Sequence, residues 1–277
     1  MGHSEGRRSP ILTRSVRAVT VLALILLASS ACGTASYRGA APARPSSSGA
    51  RAPATPPATP APAKPMPSSS SPAAPPVILA PGMSGQAVRQ LQLRLAALRY
   101  YPGPADGQFG PDTLEAVWAF EAVQGLPPSD DVGPAMQRAL LNPQSPPVLV
   151  PGGGGTRIEI NLAREVLVLY KAGQVTLISH VSTGGGYYYC SPGGGCGYAI
   201  TPVGNFTAET FMPGWITVPL GEMYNSVFFI DTAYAIHGDT DVPLQPVSHG
   251  CVRIPMDIAA FFHTLFPIPG TPVYIRD

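Results

Sequence analysis

The apolar residues of this 277-residue chain keep two different periods and change from one to the other at a single glycine run. Upstream of it, "SGQAVRQLQLRLAALRYY" places Val88, Leu91, Leu95 and Leu98 at helical spacing, with Ser84 as a candidate N-cap. "ADGQFGPDTLEAVWAFEAVQGL" reads as a turn and then a second helix, striped by Ala116, Val117, Phe120 and Val123. "VGPAMQRALL" reads as a third, with Pro134 early in it. After "PGGGG" (151–155), taken as a flexible joint, the period is two. "RIEINL", "EVLVLYK" and "VTLISHVST" read as consecutive strands turning at Ala163-Arg164 and Ala172-Gly173. Further strands are expected at 205–208, 226–230 and 233–236, with "PVYIR" closing the chain and "PMDIAAFFHTLF" as the one helix of this half. The expected fold class is therefore multidomain: a small three-helix module at 77–142, a linker at 143–155, and a mostly-β sandwich or barrel at 156–277.

The first 76 residues carry different signals. Arg7, Arg8, Arg14 and Arg17 precede "AVTVLALILLA", which is too short to span a bilayer, where about 20 apolar residues are needed. It suits the apolar region of a signal peptide. "SSAC", ending at Cys32, resembles a bacterial lipobox, so residues 1–32 read as a lipoprotein-type signal peptide with Cys32 lipidated; ordinary cleavage is the alternative. Residues 33–76 are Ala, Pro and Ser with almost no large apolar side chain and cannot bury enough surface to fold. They read as a disordered, semi-rigid tether reaching roughly 130 Å if fully extended as polyproline. Together these features point to an exported, membrane-anchored protein of a bacterial envelope. Charged residues make up only 12% and the net charge is +1, without the basic face or stripe of a nucleic-acid binder. Nothing in the sequence constrains the oligomeric state.

Export implies an oxidising compartment, and four cysteines have to be placed in it. Cys32 belongs to the targeting segment. Cys190 and Cys196, in "CSPGGGC", are expected to pair, closing a short loop at a gain of about 2 kcal/mol. Cys251 is left over. An unpaired thiol in a secreted protein is either a candidate nucleophile or an inert core residue.

Its surroundings, "IHGDTDVPLQPVSHGCVRIP" (236–255), admit three chemistries. The first is a cysteine nucleophile activated by an imidazole. His249 lies two residues away, where extended backbone sets side chains roughly 6–7 Å apart and side by side. His237 comes from another strand and can approach the sulfur from across the site, so it is the preferred base. Gly250 lets a substrate carbonyl come close, and the amides of 250–252 could serve as an oxyanion hole, each donor typically worth about 3–4 kcal/mol. The second is zinc held by His237, Asp239, His249 and Cys251. The third is a packed core in which Gly238 and Gly250 are turn residues.

Two family resemblances bear on the choice. The order Leu91-Gln92, Leu95, Leu98, Tyr100, Asp106-Gly107, Phe109-Gly110, Thr113, Ala116-Val117, Phe120, Gly125-Leu126, Gly133 resembles a type 1 peptidoglycan-binding domain over residues 80–142. It departs from that pattern at Glu121, often Gln, and at "DDVG". "HG" at 237–238 followed by "SHGCVR" at 248–253 resembles the signature of the L,D-transpeptidase catalytic domain of the YkuD type, as do "TPVGNF" (201–206) and "PGTPVYI" (269–275). The resemblance implies that Cys251 is the nucleophile, that His237 is the base and that the Gly238 carbonyl orients it. It further implies that Ser248 and His249 support the site, that Gly250 shapes the oxyanion pocket, and that Arg253 holds a substrate carboxylate or braces the loop. It implies no cofactor and no metal.

The activity implied is attack of Cys251 on the amide between the third residue of a tetrapeptide stem and its terminal D-alanine. The thioester then passes to an amine of a neighbouring stem, giving a 3→3 peptidoglycan cross-link. The alternatives are an L,D-carboxypeptidase, with water as acceptor, and a non-catalytic wall-binding protein. The expected partners are peptidoglycan stems and glycan, with the membrane reached through the lipid anchor. One insertion departs from the family pattern: "GGYYYCSPGGGCGYAI" places Tyr187, Tyr188, Tyr189 and Tyr198 around the expected disulfide. It reads as a stapled flap over the cleft or as a longer hairpin with exposed aromatics.

Overall fold

The computed structural model describes residues 77–277. The expected signal peptide, Cys32 and the Ala/Pro/Ser tract lie outside the described residues. The helical half consists of α1 (Gln86–Ala97), α2 (Pro111–Gln124) and α3 (Pro134–Leu141). Proline opens the second and third, where its missing N–H costs nothing. The second stops at Gly125, whose φ of 67° is the left-handed geometry of a C-terminal cap. Ser84 does not cap α1. Gly85 takes that position without a side-chain cap, because residues 83–85 are held extended against 107–109 through Gly85 N→Gly107 O (2.8 Å) and Phe109 N→Met83 O (2.9 Å). Gln92, fully buried, ties this turn down. Its amide donates to Asp106 Oδ1, Gln108 O and Thr113 Oγ1, and its oxygen accepts Gly107 N–H.

Downstream, one sheet has five strands: β1 (Arg157–Asn161), β2 (Val166–Lys171), β3 (Gln174–His180), β6 (Gly204–Thr207) and β11 (Pro272–Arg276), in the order β3-β2-β1-β11-β6. A second has four: β7 (Thr210–Val218), β8 (Gly221–Ile230), β9 (Tyr234–Asp239) and β10 (Val252–Pro255), in the order β10-β9-β8-β7. A separate two-stranded arm is made by β4 (Tyr188–Cys190) and β5 (Cys196–Tyr198). The larger sheets pack face to face as a sandwich, and neither closes into a barrel. Ile158, Ile160, Leu167, Leu169, Val273 and Ile275 meet Val227, Phe229, Ile236, Val252 and Ile254 in the core. The helix α4 (Met256–Phe262) seals one side through Ile258 and Phe262.

The helical half shares a core with the sandwich. Val166, Val168, Tyr170 and Ile178, on the outer face of β2 and β3, are buried among the side chains of α1, α2 and α3. This is why "VLVLY" shows no alternation: both faces of β2 are covered. The glycine run is not a free joint either. Tyr274 Oη donates to Gly153 O (3.0 Å), Arg157 Nη1 to Gly154 O (2.9 Å), and the amides of Leu149 and Val150 to the Glu159 carboxylate. Glu159 is wholly buried and ion-paired to Arg157 at 2.6 Å.

Candidate active site

The parallel pairing of β9 with β10 builds the site. Its register sets Val252 opposite Ile236 and Arg253 opposite His237. Side chains alternate along a strand, so Cys251 and Arg253 share a face, and His237 points out of that same face from the neighbouring strand. By this register Cys251 lies next to the Ala235 backbone and two positions along from the place opposite His237. Cys251 and His237 both line one cavity of about 710 Å³.

The turn that presents Cys251 is fixed by Ser248. This side chain is buried, accepts Gly250 N–H at 3.0 Å and donates to the Cys251 carbonyl. Its backbone is clamped to the preceding loop through Ser248 N→Thr183 O (2.9 Å) and Gly185 N→Ser248 O (3.0 Å). Gly250 has φ of 137°, and a Cβ there would lie 2.7 Å from the Tyr234 ring and 2.9 Å from Ile200 O. Only glycine fits this backbone without strain. Gly238 has a different reason: a Cβ there would lie 2.6 Å from that of Ala259, so its absence lets α4 settle against β9.

His237 is buried, and its Nδ1–H donates to the Gly238 carbonyl at 3.0 Å. A carbonyl can only accept, so in the neutral ring Nε2 carries the lone pair. Burial pushes the His237 pKa down, offset in part by the Gly238 bond and by Asp239. Burial pushes the Cys251 thiol up, against a bond from the Ala235 backbone and the charge of Arg253. The resting pair is therefore thiol and neutral imidazole. Arg253 is ion-paired to Asp239 Oδ2 (3.1 Å) and donates to Asp241 O (3.2 Å), which ties the loop after β9 back to the sheet.

His249 points elsewhere. Its ring lies edge-on to Tyr189 at 4.7 Å and to Tyr187 at 5.6 Å, between centroids. The structure thus separates the four tyrosines of the insertion. Tyr189 lines the cavity, Tyr187 sits at the root of the arm, and Tyr188 and Tyr198 form an exposed edge-to-face pair. Cys190 and Cys196 are joined, and Cys251 is a free, half-buried thiol. Among the described residues, no three of His237, Asp239, His249 and Cys251 bring ligand atoms within 4.8 Å of one another. Asp239 is paired with Arg253, and His237 is bonded through Nδ1 to Gly238 O.

Sequence reading missed the part of the cavity lining that comes from Trp215, Leu220 and Glu222 of the β7–β8 hairpin. The Pro213-Gly214 pair inside β7 looks like a turn. It is a bulge at a sheet edge, where the register shifts and Gly214 N–H donates to Asn225 Oδ1 (2.8 Å).

Comparison with known proteins agrees with this architecture. The sequence model of the putative peptidoglycan binding domain matches residues 84–140, and that of the L,D-transpeptidase catalytic domain matches 155–275. The solved L,D-transpeptidase (residues 123–326) of Xylanimonas cellulosilytica DSM 15894 is 33% identical and covers 73% of this chain and 99% of its own, with a TM-score of 0.68. Among curated proteins, the zinc D-Ala-D-Ala carboxypeptidase of Streptomyces albus G is 48% identical over 62 residues. An uncharacterized protein in the bpoA1 3' region of Kitasatospora aureofaciens is 50% identical over 52 residues. These matches cover 21% and 18% of the chain, which spans 23% and 44% of the length of those relatives. Fold and matches define a class of two-part proteins, a peptidoglycan-binding domain ahead of a catalytic β-sandwich. Within that class, the chain belongs to the L,D-transpeptidase family.

Proposed function

We propose that this chain is a cysteine-dependent peptidoglycan L,D-transpeptidase forming 3→3 cross-links. The observation that carries the reading is the His237 Nδ1–H bond to Gly238 O, which leaves Nε2 free on the sheet face that bears Cys251. His237 Nε2 takes the thiol proton as Cys251 Sγ attacks the carbonyl carbon between the third stem residue and D-alanine. The oxyanion is assigned to the Cys251 amide, because the Gly250 amide is already bonded to Ser248 Oγ. The imidazolium then protonates the D-alanine nitrogen, the C–N bond breaks, and a thioester remains. An amine of a second stem gives a proton to Nε2 and attacks the thioester carbonyl. The amide forms, and the sulfur leaves and is reprotonated. No cofactor enters.

Ser248 and Gly250 position the turn, and Arg253, held by Asp239, braces it. The helical module is assigned to wall binding. The same reading makes the protein an exported one that acts in the cell wall, anchored through lipidated Cys32. No helix among the described residues is long and apolar enough to cross a membrane. The test is incubation of the purified chain with disaccharide-tetrapeptides. Released D-alanine with cross-linked dimers supports the proposal, and tripeptide without dimers would make the enzyme an L,D-carboxypeptidase. Cys251→Ala should abolish both products, and equal turnover in that variant would refute the nucleophile.

A further inference from the structure

The arm formed by β4 and β5 is unusual in how little holds it. It is a two-stranded sheet separate from both larger ones, and such a hairpin is at best marginally stable alone. Its root is fastened: Gly186 N donates to Ala199 O, Ala199 N to Tyr187 O, and Tyr187 Oη to Val247 O (3.2 Å), in the loop that leads into Ser248. Its tip is a glycine-rich turn closed by Ser191 N→Gly195 O (2.9 Å) and by the Cys190–Cys196 bond. Tyr189 lies between root and tip. Half-buried, it packs edge-on against His249, two residues from the nucleophile, and lines the same cavity as Trp215, Leu220 and Cys251. The residue that closes this side of the cavity is thus attached directly to the cross-linked cysteine.

We infer that Tyr189 is a positioning residue for the donor stem, acting as cavity wall and as the seat of His249, and that it holds this place only while Cys190 and Cys196 are joined. This rests on the function proposed above and adds to it a requirement for two opposite thiol states in one molecule: an oxidised pair in the arm and a reduced sulfur at 251. Cys190 and Cys196 are both exposed, so a reductant in solution reaches them. Two electrons cleave the S–S bond, and each sulfur leaves as a thiol after taking one proton. With tris(carboxyethyl)phosphine, the phosphine becomes its oxide, with oxygen from water. The freed tip no longer fixes β4 against β5, and Tyr189 loses its register beside His249.

The experiment uses the full chain, purified without reductant, and measures KM and kcat for D-alanine release from disaccharide-tetrapeptide. The Cys190→Ser/Cys196→Ser and Tyr189→Ala variants should raise KM about ten-fold, the scale of one lost aromatic contact, with kcat within about two-fold. Tyr189→Phe, which keeps the ring, should recover most of the affinity. The phosphine should raise the KM of the unaltered chain to that of the double variant and leave the double variant unchanged. A phosphine is chosen because a thiol reductant would intercept the thioester. In parallel, the rate at which iodoacetamide alkylates Cys251 is followed by intact mass, since an opened wall exposes the sulfur and speeds alkylation in both variants. Wild-type KM and wild-type alkylation rates in both variants would overturn the inference. Faster alkylation in a chain that releases no D-alanine would refute the proposed reaction and keep the arm as the wall of the cavity.

Discussion

Burial acts on Cys251 and His237 in opposite senses, raising the pKa of the thiol and lowering that of the imidazole. Both effects favour the neutral pair, so in the reaction proposed above the sulfur would surrender its proton during attack rather than before it. The pH profile follows from that sign. In the proposed reaction the base works unprotonated, and the His237 pKa lies below the usual value near 6.5. The acid limb of kcat/KM for D-alanine release should therefore fall below that pH, with a plateau through pH 8. A limb centred near the thiol's own ionisation would contradict a neutral resting pair. Replacing His237 with Gln should lower kcat/KM by about 10²–10⁴-fold, the usual worth of a positioned base, without shifting the thermal midpoint downward in proportion. Gly250→Ala should behave differently. The added methyl would meet the Tyr234 ring and the Ile200 carbonyl on a backbone with φ of 137°, so stability should fall by about 1–3 kcal/mol in denaturant titration, together with activity.

Among the elements, the glycine run between helices and sandwich is gripped by one buried charge pair. Arg157 and Glu159 project from β1 into the folded-back glycine run, and Arg157 also stacks on Tyr170 at 3.7 Å. Glu159→Ala would strand a buried guanidinium and leave the Leu149 and Val150 amides without their acceptor. The expected loss is about 3–5 kcal/mol by urea titration, and a variant as stable as the parent would show that the pair holds nothing. This element also marks where sequence reading stops. The stripes of α1 and α2, the strands β1 to β3 and the closing β11 were legible because local period and turn residues decide them. The glycine run reads as a flexible joint because five residues without large side chains carry no record of what grips them. The hidden strands have similar causes. Pro213-Gly214 disguises β7 as a turn, and the alternation of β10 is only four residues long, too short to stand out beside the motif that precedes it. The residues 237 and 248–253 could be read as one site from spacing and motif, and the parallel register that sets them side by side could not. Nor could the division of the four tyrosines between cavity and solvent, which depends on how the arm pairs.

At the scale of the whole molecule, the helical module is seated on the catalytic sandwich, and the seat contains three carboxyl groups. Asp112 and Glu115 of α2 and Asp257 of α4 bring carboxylate oxygens within 4.8 Å of one another. Tyr101 lies within the field of Asp257 and Asp112, and His180 lines a small pocket with Tyr101 and Glu115. Burial, then repulsion from its neighbours, raises Glu115 to about 8, and Asp257 is raised to about 6 by burial and by Asp112. The folded chain thus keeps protons that the unfolded chain has lost above the ordinary carboxylate range. The associated stability is full below about pH 4 and is lost as pH rises through 6 and then 8. Glu115→Gln should therefore raise the thermal midpoint at pH 8 to 9 and leave it nearly unchanged at pH 4; an equal effect at both would rule out the carboxyl proton as its source. The proposed reaction rests on one claim, that the sulfur of Cys251 receives the acyl group. The most direct measurement is intact mass of the unreduced chain after treatment with meropenem, whose strained lactam carbonyl acylates a competent thiol, followed by peptide mapping. A single adduct on Cys251, absent from Cys251→Ala and slow in a chain with His237 replaced, is the expected result; an adduct on another residue, or none on a folded chain that still releases D-alanine, would contradict it.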